Sequence, residues 1–250
     1  SLSPKICTDL KLETAGLQRG AAIDTIALDR DGQHLTLGVD EASGAGLSQQ
    51  DRVAYTAFKQ EFRNYARTLE PLMMNKPPRL KDMDRTDLLT LGKLGWKLRF
   101  GLGTRSMREF LRVGGINIYD VLNEVFDNAQ LKAAIAADAV IGHHMGPRTP
   151  STVLTYLNRL RWEIHGQQSL PPGGMGQIAN ALSKAAKSAG VTIRTGAKVQ
   201  KILIHAGKAY GVQLPSGERL DAAIVISNAD AKITFLELVG ALELDAMFAQ

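Results

Sequence analysis

Gly174, Gly176 and Ala179 stand in the order G-x-G-x-x-A. In that pattern glycines let backbone N–H groups approach a pyrophosphate at a helix N-terminus. A self-contained pyrophosphate loop also needs a strand just before the first glycine and an acidic residue about 20 positions on. Here Pro171 and Pro172 precede the glycines, and residues 194–200 read Arg-Thr-Gly-Ala-Lys-Val-Gln. Both context tests fail. The stretch Gly173, Gly174, Met175, Gly176 therefore reads as a turn that starts a helix beside a cofactor or a neighbouring backbone. At Gly174 close approach is favoured over a need for positive φ, because the two prolines already fix the entry to the turn.

Other reactive residue types form no recognisable constellation. His143 and His144 are adjacent, and neighbours on an extended stretch point to opposite sides. With His165 a helix away and no HExxH or CxxC spacing, no metal site is expected. These histidines read as a polar loop on a substrate cavity or as plain surface. No G-x-S-x-G elbow is present, and Cys7 has no neighbouring His to activate it. Met73, Met74 and Met83 read as gap-filling core.

Two kinds of element must position these residues. The runs 23–28 and 34–39 are β-rich and joined by Asp29-Arg30-Asp31-Gly32, which predicts a hairpin. A Gly/Ser stretch at 42–46 leads to a long helix started by Ser48 and Asp51. Phe58, Phe62, Tyr65, Leu69 and Leu72 share one face of it. The middle third is helical: Ser106 with Glu109 forms a candidate capping box, residues 118–126 carry an apolar face, and an Ala-rich helix over 131–141 ends at Gly142. A further helix starts at Ser151. After residue 168 the pattern becomes helix (178–189, closed by Gly190), then strands at 191–194, 199–205, 209–214 and 222–227. The last strand is apolar throughout and reads as buried on both faces. The expectation is a mixed α/β (α+β) fold: a segment of hairpin plus helices over 1–168, then helix and strand meander over 169–250.

Composition narrows the partners. Thirty Lys and Arg against 25 Asp and Glu give a charge of +5, spread along the chain rather than gathered into a stripe with aromatics. No nucleic-acid partner is expected on that ground. The apolar runs are far shorter than the roughly 18–20 residues of a membrane span. The mix of leucines and basic residues over 88–112 does suit a peripheral membrane or substrate-entry surface. A single cysteine and no visible leader point to a reducing, cytoplasmic setting. The chain opens on Ser and ends without a clear terminating element, which is expected of an internal piece of a longer protein.

Several stretches taken together resemble a known family. They are Pro172-Gly-Gly-Met-Gly-Gln-Ile-Ala-Asn-Ala-Leu, Gly190-Val-Thr-Ile-Arg-Thr-Gly-Ala-Lys-Val-Gln-Lys-Ile, Gly211-Val-Gln-Leu-Pro-Ser-Gly-Glu, Ile224-Val-Ile-Ser-Asn-Ala-Asp and Thr234-Phe-Leu-Glu-Leu-Val-Gly. The chain is similar in them to the phytoene desaturase-like, FAD-dependent oxidoreductases, an amine oxidase-like group. It stands nearest the branch called pyridine nucleotide-disulfide oxidoreductase domain-containing protein 2. The openings Leu2-Ser-Pro-Lys, Asp9-Leu-Lys-Leu-Glu and Gly16-Leu, with Ala137-Asp-Ala-Val-Ile-Gly, resemble that branch as well. Similarity is strong over 170–240 and weaker elsewhere.

The resemblance implies a two-lobed flavoprotein, with a substrate-domain segment first and part of a Rossmann-like FAD lobe after it. It implies that Val199 gives backbone contacts to the adenine of FAD. Ser227, Asn228 and Ala229 return beside the dinucleotide, and Gly173, Gly174 and Gly176 lie where the lobes join. The family's N-terminal GxGxxG and its C-terminal glycine motif have no counterpart in these 250 residues. FAD is thus expected in the longer protein and not retained by this piece alone. The expected chemistry is hydride transfer from an apolar, isoprenoid-type small molecule to flavin. The alternative is a non-catalytic binding or interaction module with a flavoprotein-derived fold.

Overall fold

Asp29 turns the chain back on itself in the computed structural model, its carbonyl accepting from Gly32 N–H (3.3 Å) and its own N–H donating to His34 Nδ1 (2.9 Å). Strand β1 (Thr25–Ala27) pairs antiparallel with β2 (Leu35–Leu37), so the predicted hairpin forms. The Gly/Ser stretch adds a short third strand, β3 (Ala42–Ser43), on the far side of β2. The structure describes residues 2–74, 76–79, 81–165 and 168–249. They fall into two compact units, Ser1–Ala185 and Ala186–Gln250.

The first unit is helical around that small sheet. After α1 (Pro4–Asp9), the long helix α2 (Gln49–Met74) runs through the core. Ser48 starts it, its hydroxyl accepting from Asp51 N–H at 3.0 Å. The buried Asp51 carboxylate reaches on to the N–H groups of Asp127 and Asn128 (3.0 and 3.3 Å), tying that end of α2 to the start of another helix. Then come α3 (Arg85–Trp96), a π-helical continuation (Lys97–Gly101), α4 (Gly103–Val113), α5 (Ile118–Val125), α6 (Ala129–Val140) and α7 (Thr152–Leu160). Phe58, Phe62, Tyr65 and Leu69 of α2 are buried as their spacing predicts. Their rings form a chain: Phe58 to Phe62 at 4.1 Å, Phe58 to Tyr156 at 5.9 Å, and Tyr65 to Phe110 at 5.4 Å. Such aromatic pairs add to what area burial alone contributes.

Two local expectations are corrected. Ser106 lies inside α4 and caps nothing; the capping box belongs to α3, where Asp84 accepts from Thr86 and Asp87 N–H and Asp87 reaches back to Asp84 N–H. Helix α7 does start at Ser151 as predicted, although Ser151 has φ +68° and makes no side-chain cap. Its neighbour Thr152, fully buried, accepts instead from Ile118 N–H at 2.9 Å and so joins the starts of α5 and α7. Met73 packs on the core as expected, but Met83 is exposed. The side chain of Met74 lies outside the described residues.

Helix α8 (Gly176–Ser188) ends as the sequence predicts, Gly190 taking φ +84° while Val191 N–H donates to the Ala186 carbonyl at 3.0 Å. This is the glycine-closed helix end that satisfies otherwise orphaned carbonyls. The division between the two units falls within this helix. In the second unit β4 (Lys201–His205) pairs antiparallel with β5 (Lys208–Gln213), and β5 with β6 (Arg219–Asp221). Ala206 and Gly207, both at positive φ, make the two-residue turn between β4 and β5. Ile202, Leu203, Gly211 and Leu214 are its buried residues among those described.

Two predicted strands do not form. Residues 191–194 are exposed and unpaired, with Arg194 held in a bidentate pair to Glu218 (2.9 and 3.0 Å). Residues 222–227 join no sheet, and Ile224 and Ile226 are 78% and 90% exposed. A strand buried on both faces needs strands on its flanks and layers above and below. No described residue supplies them. The fold is mixed α+β, with helices dominant and both sheets small and antiparallel.

Candidate functional site

In the second unit residues 225–235 build a turn from side chains that bond their own backbone. Ser227 Oγ accepts from Ala229 N–H (3.3 Å) and shares a hydrogen bond with Thr234 Oγ1 (2.8 Å). Thr234 Oγ1 also donates to the Ala229 carbonyl at 3.3 Å. Asp230 then caps the following helical stretch, its carboxylate accepting from Lys232 N–H at 2.8 Å. The stretch continues as a π-helix, Ile233–Gly240. Short polar side chains favour such local bonds over sheet ladders, which fixes Ser227, Asn228 and Ala229 in a defined exposed turn.

This turn borders a cavity of about 570 Å³. Its floor is one side of β4, Ile202 and Ile204, and its walls include Val225, Ser227, Ala229, Thr234 and Phe235. That is the volume and apolar character of a small-molecule site. Sequence reading singled out Ser227 and Ala229 but missed Ile202, Ile204 and Thr234. The period-2 spacing of Ile202 and Ile204, with a hydroxyl seven residues after Ser227, was the available signal.

Val199 lies two residues before β4 and outside the cavity lining. It is half-buried, and neither its N–H nor its C=O is bonded among the described residues, whereas the next residue, Gln200, donates to the Gln213 carbonyl at 2.8 Å. The Val199 backbone therefore keeps a donor and an acceptor free for a group outside the described chain.

Gly173, Gly174 and Gly176 belong to the first unit. Gly174 N–H donates to the Pro171 carbonyl at 2.9 Å, with Pro172 and Gly173 (φ +86°) at the corners, the signature of a type II turn. Gly174 itself has φ +88°, and a Cβ built there would meet nothing within 4 Å. Within the chain, backbone conformation and not close approach is what requires glycine at 174. Gly176 has neither positive φ nor a close neighbour. Pro171 and Met175 of this turn line a cavity of about 290 Å³ with Leu17, Trp162, Leu170 and Ile178.

A second polar centre of the first unit escaped the sequence. Lys59 Nζ and Glu163 Oε2 pair at 2.6 Å with both side chains buried. Beside them Tyr55 donates its phenol to the Gly38 carbonyl at 2.7 Å. Burial, reinforced by the nearby Glu163 and Asp138 carboxylates, pushes the Tyr55 phenol well above its ordinary pKa, and burial does the same to Tyr156. The space these groups line is about 30 Å³, room for a single water and too small for a substrate. Lys59 directly follows Phe58 on the apolar side of α2, and a lysine there is the sequence signal of a buried ion pair. His143 and His144 are exposed, the side chain of His165 lies outside the described residues, and no group of three or more His, Cys, Asp or Glu gathers among the described residues.

The chain is 30% identical over 259 residues to the pyridine nucleotide-disulfide oxidoreductase domain-containing protein 2 of Mus musculus, covering 95% of this chain and 44% of that protein. It is 43% identical over 67 residues to the neurosporene-forming phytoene desaturase of Cereibacter sphaeroides, 27% of this chain and 13% of that one. Over 130 residues it is 30% identical to the all-trans-zeta-carotene desaturase of Myxococcus xanthus, 50% of this chain and 23% of that one. Among solved structures, a putrescine oxidase triple mutant superposes with a TM-score of 0.47 at 12% identity, over 89% of this chain and 44% of that one. The chain thus spans less than half the length of these relatives. With the model of the flavin-containing amine oxidoreductases matched from residue 11 to residue 234, the chain belongs to that family.

Proposed function

We propose that the protein takes part in FAD-dependent oxidation of an apolar, isoprenoid-type small molecule, with hydride passing from substrate to flavin. The observation that carries this reading is the family match across residues 11–234. The 67-residue similarity to a phytoene desaturase supports the substrate class. In such enzymes the flavin supplies the redox chemistry and the protein supplies binding, orientation and exclusion of water.

The residues present fit the adenosine side of the dinucleotide. Val199 offers an unbonded N–H and C=O beside β4, and Ser227, Asn228 and Ala229 offer an exposed turn held by Thr234. Nothing in the 250 residues supplies the strand-then-glycine loop that holds a pyrophosphate. On this reading the chain alone binds FAD weakly, and the natural-length protein holds it firmly.

Purification of the natural-length protein tests the reading. Stoichiometric FAD, bleached anaerobically by a carotenoid precursor, is the expected result; a colourless, flavin-free protein overturns it. Within that protein Val199→Ala leaves flavin occupancy unchanged, because only the backbone is used. Val199→Pro lowers occupancy by removing the N–H. Equal occupancy in a folded Val199→Pro variant would remove Val199 from the site.

A further inference from the structure

Helix α3 and its π-helical continuation turn two unlike sides outward and inward. Leu91, Leu94, Leu98 and Leu102 are at least partly covered, the last two packed on the core. On the other side, at spacings of 4, 3 and 4, stand Leu89, Lys93, Trp96 and Phe100. Leu89, Trp96 and Phe100 are 64%, 67% and 61% exposed, and the Trp96 and Phe100 rings lie 4.3 Å apart as one apolar plate. Lys93 within the ridge is exposed as well, and a Cβ built on Gly92 at its border meets nothing within 4 Å.

The charges on and around the ridge are unmatched. Lys93, Lys97 and Arg99 are exposed and make no ion pair among the described residues; Arg99 lies 5.4 Å from the Phe100 centroid and bonds only Thr104. The acids nearby are committed elsewhere. Asp84 and Asp87 cap α3 and pair with Arg79, and Glu109 pairs with Arg112.

We propose that this face docks on the surface of a bilayer containing anionic lipid, lying in the interface without crossing it. Trp96, Phe100 and Leu89 would enter the boundary between headgroups and acyl chains, with Lys93, Lys97 and Arg99 on lipid phosphates. The position of Lys93 favours lipid over a protein partner. It stands inside the apolar ridge, between Leu89 and Trp96. A flat protein surface would bury its ammonium there, whereas at a bilayer its stem lies along the apolar layer and its charge reaches the headgroups. None of the described helices is long and apolar enough to span a membrane, which agrees with docking in the plane. This inference does not depend on flavin binding.

Flotation of the 250-residue chain with vesicles tests it. With phosphatidylcholine vesicles containing phosphatidylglycerol the chain floats, added salt weakens the binding, and brominated acyl chains quench tryptophan emission. Trp96→Ser with Phe100→Ser lowers partitioning roughly tenfold or more, since each side chain removes interfacial burial. Lys93→Glu with Lys97→Glu removes the preference for phosphatidylglycerol. All four side chains are exposed, so melting temperature and circular dichroism stay at wild-type values. Loss of the quenching in Trp96→Phe provides a readout in a variant with minimal change. No flotation with either vesicle, flotation unaffected by the Trp96 and Phe100 changes, or a dimer that those changes abolish in the absence of vesicle binding, would each overturn the proposal.

Discussion

Lys59 and Glu163 couple helix α2 to the turn after α7 through one buried contact of 2.6 Å. Removing one partner of such a pair strands the other charge in a poorly solvated site, which is far worse than losing both. Glu163→Gln is therefore expected to destabilise the first unit by about 3 kcal/mol. Lys59→Met combined with Glu163→Leu should recover most of that loss. Thermal melts of the three variants decide it, and equal melting of Glu163→Gln and wild type would deny the pair this role. At the start of α3 the sign of a pH effect follows from one carboxylate. The Thr86 hydroxyl, then the Asp87 N–H, hold the Asp84 carboxyl down from 3.8 to about 2. A depressed carboxylate stabilises the folded form above its ordinary pKa and loses that contribution as pH falls through the folded one. Protection against hydrogen exchange in the first turn of α3, taken relative to the unfolded rate at each pH, should fall between pH 3.8 and about 2. In Asp84→Asn that fall should be much reduced.

The legibility of an element in the sequence followed its need for outside partners. Helix α2 was readable because its own residues hold both the Ser48 start and the apolar stripe. Residues 222–227 were misread because an apolar run makes a buried strand only where other strands flank it, and none of the described residues does so. Ser106 failed for a local reason: a Ser-x-x-Glu pattern cannot tell the mouth of a helix from its interior. The cavity floor of Ile202 and Ile204 was hidden because it arises from pairing across β4 and β5. Glycines divide in the same way. A Cβ on Gly20 would stand 1.6 Å from the Leu170 carbonyl oxygen, so Gly20→Ala must push apart the bridge between Ala22 and Ser169. A loss of about 3 kcal/mol is expected there, as for severe overpacking. Gly174→Ala has open space and meets only the strain of its φ, costing about 1 kcal/mol. A melting scan in which Gly174→Ala fell as far as Gly20→Ala would reverse this ordering.

Across the whole chain, the two units differ in how much they bury. The first has a continuous core drawn from α2 and α4 to α7, while among the described residues the second has only Ile202, Leu203 and Leu214 as large buried apolar side chains. Small cores leave little margin over conformational entropy. Hydrogen exchange should therefore find strong protection in α2, α6 and α7 and weaker protection in β4 to β6. Uniform protection through both units would contradict this difference in core size.

The exposed run at residues 222–226 carries a consequence for the behaviour of the chain in concentrated solution. Ala-Ala-Ile-Val-Ile is uncharged, free of proline and glycine, extended, and without a ladder partner beyond residue 222. Such a segment is a template on which a second identical strand can stack. Its acidic neighbours Asp221 and Asp230 act as flanking guards against that stacking, and Asp221→Asn with Asp230→Asn should make the chain precipitate more readily. Ile226→Lys places a charge on a side chain that is 90% exposed. It should raise the concentration at which turbidity appears while leaving the melting temperature where it was.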